Sequence, residues 1–325
     1  MRQAEIIVIG EAFVDFLPKG TGPLSHIDGF EMHCGGAPCN VARGIARLGV
    51  GSRFVSVIGA DEFSDFVLEQ LRLAGVHTDA VRRLSEGRMQ LCFVTLDDRG
   101  DRQFTGRGPD ASLSLGVQDI RPEHFAHSEA LVLTCGSLRT RQGVFAVDRA
   151  LQYARGLICC DPGTCPPEWC EPRLMNRRLW SVFTRCDVVK CADHETYWLT
   201  EEDDPLRAAQ RLVQEGVKLA VVTCGARGAV WARAGGASGS VPAPHVSVVD
   251  TTGAGDAFMS ALTAWLVRAP APLPQLTDAQ VEEAIRFAAF VGARSVMVKG
   301  AVHGIPLMEA PRLPEPEGER VYDDR

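Results

Sequence analysis

The 325-residue sequence has no block of basic residues, no CxxC pair and no apolar run of membrane-spanning length. Each absence removes a class of function. Lys and Arg number 34 against 41 Asp and Glu, a formal charge of −7, so the electrostatic footprint of a nucleic-acid binder is missing and a polyanion would need one local positive site. The first residues, MRQAEIIVIGEA, run directly into a short apolar strand with no signal-peptide h-region or cleavage site, and the expectation is a cytoplasmic chain with no membrane partner. The 11 cysteines are odd in number in a long chain without a signal, which fits reduced thiols better than a disulfide framework. Cys34/Cys39, Cys165/Cys170 and Cys186/Cys191 do not have the spacing of zinc knuckles and are read mostly as small core residues. Cys34 and Cys39 differ in bracketing a glycine pair, where oxidation would be felt. Neither GxxxxGK(S/T) nor GxGxxG occurs, so P-loop and Rossmann dinucleotide readings fail.

What is present is an ordinary globular composition, 46% apolar, enough to bury a large core. Short apolar runs recur: IIVIG (6–10), RFVSVIG (53–59), ALVLTCG (130–136), GLICCD (156–161), DVVKC (187–191) and LAVVTCG (219–225). Between most of them lie amphipathic helical patterns such as NVARGIARLG (40–49) and PLRAAQRLVQEG (205–216). This βαβ rhythm, with continuous rather than alternating apolar strands, predicts an α/β fold: a mostly parallel central sheet flanked by helices, in a single domain over 1–310. Two segments break the rhythm, 12–34 and 88–108, the second reading as a hairpin of LCFVTL and RQFTG around DDRGD. Two β excursions from an α/β domain suggest a small lid. The tail 311–325, Pro-rich and charged, is expected to be extended or disordered.

The most informative stretch is VDTTGAGDAF (249–258). HVSVV (245–249) reads as a strand and DAFMSALTAWLVRA (256–269) as a helix, which puts Gly253, Ala254 and Gly255 at the helix N-terminus. Backbone N–H groups collect there with the positive end of the helix dipole behind them, and small residues let an anion approach. Asp256 has two readings, an N-cap or a general base. A carboxylate beside a phosphate cradle is a poor phosphate ligand, but a kinase needs a base for the attacking hydroxyl and donors for the charge on the transferred group. A second glycine site lies in CGGAPCNVARGIARLG (34–49). Here Gly35 and Gly36 form either a plain turn or a close-approach platform, and Asn40 is either an N-cap or a ligand. Asp15, just after the first strand, stands where open α/β sheets bind ligands, and a carboxylate there can accept sugar hydroxyls.

Together GGAPCNVARGIARLG and DTTGAGDAF resemble, in order and separation, the two signatures of the ribokinase-like, or phosphofructokinase-B type, carbohydrate kinases. The likeness runs from residue 5 to about 307, and GEAFVDFLP followed by GGAPCNVA is most similar to fructokinases. The resemblance implies a three-layer fold with a β lid. It implies Asp256 as catalytic base, Gly253, Ala254 and Gly255 as anion hole, and Asp15, Gly35, Gly36, Asn40 and, more loosely, Arg107 as sugar contacts. On the nucleotide side it implies Lys190, Thr223, Gly225, Gly228, Gly255 and Ala289 at ATP, with KGA (299–301) behind the adenine. Glu195 would organise water around Mg²⁺, and Asp250 and Thr252 match a loop that holds K⁺ in relatives. A homodimer through the lid is the implied assembly.

The chain departs from the pattern at Ala192, Gly163, Cys165 and Ala289, and Arg173, Arg177 or Lys190 are the cations that could replace a missing arginine at 165. The implied reaction is ATP-dependent phosphorylation of a small sugar, fructose first. 2-Keto-3-deoxygluconate, ribose and nucleosides are the alternatives, and a non-catalytic sugar sensor is the competing class. Aromatic residues for stacking a nucleoside are few in the lid segments: Phe13, Phe16, Phe30, Phe93 and Phe104.

Overall fold

Ile6 and Val8 pack into one hydrophobic core and Ile7 and Ile9 into another, because successive side chains of a strand face opposite sides of its sheet. The structure, a computed structural model, describes residues 5–20, 24–96, 102–107, 110–163 and 171–308, with 95–96 and 102–107 described through their backbone. Cys165, Cys170, the DDRGD turn and the tail 311–325 lie outside the described residues.

Among the described residues thirteen strands form two sheets. They are β1 (Glu5–Ile9), β2 (Phe13–Pro18), β3 (Phe30–Gly35), β4 (Gly51–Ile58), β5 (Val81–Arg83), β6 (Gln90–Leu96), β7 (Arg102–Arg107), β8 (Ser128–Thr134), β9 (Leu157–Asp161), β10 (Val188–Ala192), β11 (Leu219–Thr223), β12 (Ala229–Arg233) and β13 (Ser238–Val241). The large sheet runs β13-β12-β11-β10-β9-β8-β1-β4-β5. It is parallel except for β12 and β13, which add antiparallel at one edge. All six apolar runs singled out in the sequence are strands of this sheet.

On one face the helices Ala37–Arg47, Ala254–Val267 and Asp278–Ser295 bury Val41, Ile45, Phe258, Leu262 and Ile285 against Ile6, Val8 and Phe54. On the other, Arg141–Tyr153, Pro172–Phe183 and Pro205–Gln214 bury Val147, Leu179, Phe183 and Leu212 against Ile7, Ile9, Val189 and Val222. Burial on both faces is why the strands read as continuous apolar runs. None of the helices among the described residues is long and apolar enough to cross a membrane.

The two segments that broke the rhythm join in the second sheet, ordered β3-β2-β6-β7. β2 pairs parallel with β6, and the expected hairpin pairs antiparallel as β6 and β7. Two expectations need correction. Residues 245–249 form no strand: Pro242 and Pro244 precede them, Val248 and Val249 are 60% and 64% exposed, and the N–H of Val249 goes to the Val296 carbonyl rather than to a ladder. Asn40 is not an N-cap, since the helix begins at Ala37 with Gly36 as its cap and Pro38 in its first turn. Asn40 therefore lies inside the helix, buried.

Candidate functional site

The loops that leave the C-terminal ends of β1, β8, β9, β10 and β11 converge on the N-termini of two helices, Ala37–Arg47 and Ala254–Val267. In open α/β sheets ligands bind at this edge. Gly253 caps the second helix with φ +72°, a left-handed conformation that glycine adopts without strain. A methyl group on it would also overlap Ala301 of the KGA loop. The sequence thus starts this helix with three small residues, whose N–H groups have no partner within the helix, and places Asp256 within its first turn.

Asp256 is half-buried, and desolvation lifts its carboxyl from the ordinary aspartate range to about 6. A hydrogen bond from Asn40 pulls the other way, the charge of Asp161 pushes further up, and Lys190 pulls down. The Asn40 bond, Nδ2 to Oδ2, is 2.9 Å. The carboxylate does not cap its own helix, so of its two sequence readings the capping one is removed.

On one side of Asp256 stands the Gly35–Gly36 platform. Gly35 closes β3, and a methyl there would overlap the carboxylate of Asp15, which lies across it. Gly36 turns the chain with φ +96° into the helix that carries Asn40. Asp15, Gly35, Gly36, Asn40 and Asp256 are thereby brought together. Cys34 and Cys39, on either side of the glycine pair, hold their sulfurs 3.4 Å apart as free thiols. Arg107 pairs with Cys92 in the β6–β7 register, and its side chain lies outside the described residues.

On the other side is a cleft of about 360 Å³ lined by Thr223, Gly225, Gly228, Ala254, Gly255, Phe258 and Ala289, with Ala243, His245 and Val246 at the chain segment after β13. Every residue assigned to ATP by resemblance lines this cleft except Lys190, which approaches from beneath. A methyl on Gly255 would sit 2.8 Å from Lys190 Nζ. Lys190 in turn donates to Asp161 Oδ2 at 2.8 Å, both side chains buried. Burial alone would lower the lysine, but Asp161, Glu195 and Asp256 outweigh it and hold the ammonium above its usual range. Glu195 is buried too; desolvation and the charge of Asp161 raise its carboxyl, and it accepts the Ala192 N–H at 2.8 Å. Of the three cations considered for the position of the missing arginine, Arg173 and Arg177 are exposed on their helix and Lys190 alone reaches the cradle.

Asp250 accepts the N–H and hydroxyl of Thr252 through one oxygen and the N–H of Gly300 through the other. These bonds fasten the loop before the cradle to the KGA loop. Among the described residues no cluster of three or more His, Cys, Asp or Glu side chains could hold a metal by itself.

Sequence reasoning passed over Asp161, Glu11 and Arg139. The first closes β9 with its carboxylate on Lys190; its signal was its place at the C-terminal end of a buried strand. Glu11, in the same GEAFVDFLP that supplied Asp15, follows β1 directly and is 7% exposed. Arg139 pairs with Asp110 at 2.8 Å.

Known proteins are similar to this chain in fold and in sequence. A fructokinase of Xylella fastidiosa solved with bound ATP is 31% identical, with a TM-score of 0.83 over 93% of this chain and 95% of its own. A Vibrio cholerae fructokinase solved with fructose, ADP and a calcium ion is 28% identical, with a TM-score of 0.82 over 94% and 96%. In sequence, a probable fructokinase-3 of Arabidopsis thaliana is 33% identical over 309 residues, 93% of this chain and 88% of that one. The profile of the pfkB family carbohydrate kinases matches residues 3–308, and the chain belongs to that family.

Proposed function

We propose that this carbohydrate kinase transfers the γ-phosphoryl group of ATP to a primary hydroxyl of a small neutral sugar, with fructose the leading acceptor. The observation that carries the reading is the position of Asp256, a half-buried carboxylate with a pKa near 6 set between a glycine platform and a cleft of nucleotide size. At neutral pH it is ionised and able to take a proton. Asp15 and Asn40 orient the sugar, and Asp256 accepts the proton of the attacking hydroxyl as the oxygen reaches phosphorus. The charge that gathers on the transferred group meets the N–H groups of Gly253, Ala254 and Gly255, of which that of Ala254 also makes a long 3.3 Å bond to the Thr251 carbonyl.

Lys190 adds a fixed positive charge at the same place, and its pairing with Asp161 keeps it there before ATP arrives. Asp161 and Glu195 offer hard oxygen donors whose mutual repulsion a cation would relieve, so the donor set fits Mg²⁺ brought in by the nucleotide and held largely through water. When bound, Mg²⁺ neutralises charge on the phosphate oxygens. Thr223, Gly225, Gly228 and Ala289 form the walls for ribose and adenine. The loop tied by Asp250 and Thr252 is the place for a K⁺ ion, if one is used. The β3-β2-β6-β7 sheet is the lid that excludes water, and through it a second copy of the chain would pair, which the solution mass tests.

The test is ATP consumption by the purified protein with fructose, ribose, 2-keto-3-deoxygluconate, glucose and nucleosides. Selective turnover of fructose supports the reading; turnover of another acceptor keeps the chemistry and replaces the substrate. Ligand binding without turnover of any acceptor supports the sensor.

A further inference from the structure

Glu11 is the least explained carboxylate in the protein. It leaves the C-terminal end of β1, is 7% exposed, and among the described residues its Oε2 has no hydrogen-bond partner. Buried carboxylate oxygens are almost always satisfied, so one left without a partner asks for a donor. The room it occupies is made by Gly136, in the loop after β8, where any side chain would overlap the carboxylate. Its own carbonyl lies against Gly36 of the acceptor platform. Burial, with the charges of Asp110 and Asp256, lifts its carboxyl to about 7, while the charge of Arg139, paired with Asp110, pulls it down.

We infer that Glu11 is a specificity-determining residue of the acceptor site: its unpartnered oxygen accepts a hydroxyl of the sugar away from the carbon that is phosphorylated. This rests on the sugar-kinase reading and narrows it. The Asp15 carboxylate lies across Gly35 and the Glu11 backbone against Gly36, so a polyol on the platform is offered two carboxylates. The cation that acts on Glu11, Arg139, is already taken by Asp110. An acidic acceptor such as 2-keto-3-deoxygluconate would therefore set its carboxylate among Glu11, Asp15 and Asp256 with like charges around it, and the site selects neutral polyols.

The experiment compares wild type, Glu11→Ala and Glu11→Gln with fructose and with fructose analogues each lacking one hydroxyl. Glu11→Ala is expected to raise the fructose KM by about 10-fold or more while the ATP KM and kcat stay within about threefold. Glu11→Gln, which keeps the shape and one acceptor oxygen, is expected to fall between the two. For one deoxy analogue the penalty seen in wild type should vanish in Glu11→Ala, which a purely structural residue would not produce. A fructose KM within about twofold of wild type in both variants overturns the inference. So does a parallel change in the ATP KM, kcat and melting temperature without a selective sugar effect. If Glu11→Ala does not fold, the Glu11→Gln result decides alone. Wild-type turnover of a different neutral sugar moves the same comparison to that sugar, preference for an acidic acceptor overturns the inference but keeps the kinase, and silence with every sugar overturns both.

Discussion

Asn40 Nδ2 donates a 2.9 Å hydrogen bond to Asp256 Oδ2 across 216 positions of sequence. The bond joins the two glycine motifs into one site: the first motif ends in the helix that carries Asn40, and the second begins the helix that carries Asp256. Because Asn40 is fixed by its helix and stabilises the ionised form of the acid, it holds the carboxylate beside the Gly35–Gly36 platform, where the proposed mechanism sets the acceptor hydroxyl. The same residue that positions the base also keeps its pKa from rising further.

Asp256→Asn is expected to lower kcat by about 10²-fold or more, with sugar and nucleotide binding retained by calorimetry. The sign for stability is opposite to that for activity. The folded carboxyl sits near 6, above the unfolded value of about 3.9, so its ionisation disfavours the fold at pH above 6 and the cost fades as pH falls through 6. The variant should therefore melt at the same temperature or higher at pH 8. A rate within a few-fold of wild type would remove Asp256 from its role.

The acid limb of kcat/KM for the sugar is expected near pH 6, the value of Asp256 in the free protein. Asn40→Ala removes a hydrogen bond that lowers that pKa, so the limb should move to higher pH. A pH–rate series on both proteins checks this. It is repeated in Glu11→Gln because Glu11, near 7, titrates in the same range; a limb that disappears in Glu11→Gln would assign it to the wrong residue.

Much of this layout is legible in the sequence, for a physical reason. Strands buried on both faces leave apolar runs such as IIVI and LAVV, and a cradle built of backbone leaves glycines that nothing else explains. Partnerships between side chains leave no such trace. Asp161 reads as the end of a strand until its carboxylate is seen on Lys190, and Glu11 reads as a loop acid until Gly136 is seen to make room for it. HVSVV misled because alternating valines resemble a strand, whereas its backbone bonds to the residue after the Asp278–Ser295 helix. Asn40 misled because a cap is a local feature, and its partner is in the other motif.

Lys190→Met should destabilise the protein by about 3–5 kcal/mol, the usual consequence of stranding a buried partner charge, here Asp161 with Glu195 beside it. Denaturant unfolding measures the loss, and the double variant Lys190→Met/Asp161→Asn should recover part of it. The ATP KM should rise more than the sugar KM in the single variant. An unchanged midpoint would mean that the pair carries no strain between its charges.

Gly253→Ala places a side chain at φ +72° and against Ala301. It is expected to cost about 1–3 kcal/mol and to lower kcat as the cradle shifts away from the phosphate. Full activity with an unchanged melting temperature would show that the turn adapts.

Transfer from ATP to a neutral sugar with Asp256 as base is tested most directly by ADP release from wild type and Asp256→Asn across the acceptor panel. Rapid, selective turnover of fructose by wild type and about 10²-fold less by the variant is the expected result. No turnover of any sugar by wild type, or equal rates for the two proteins, would contradict it.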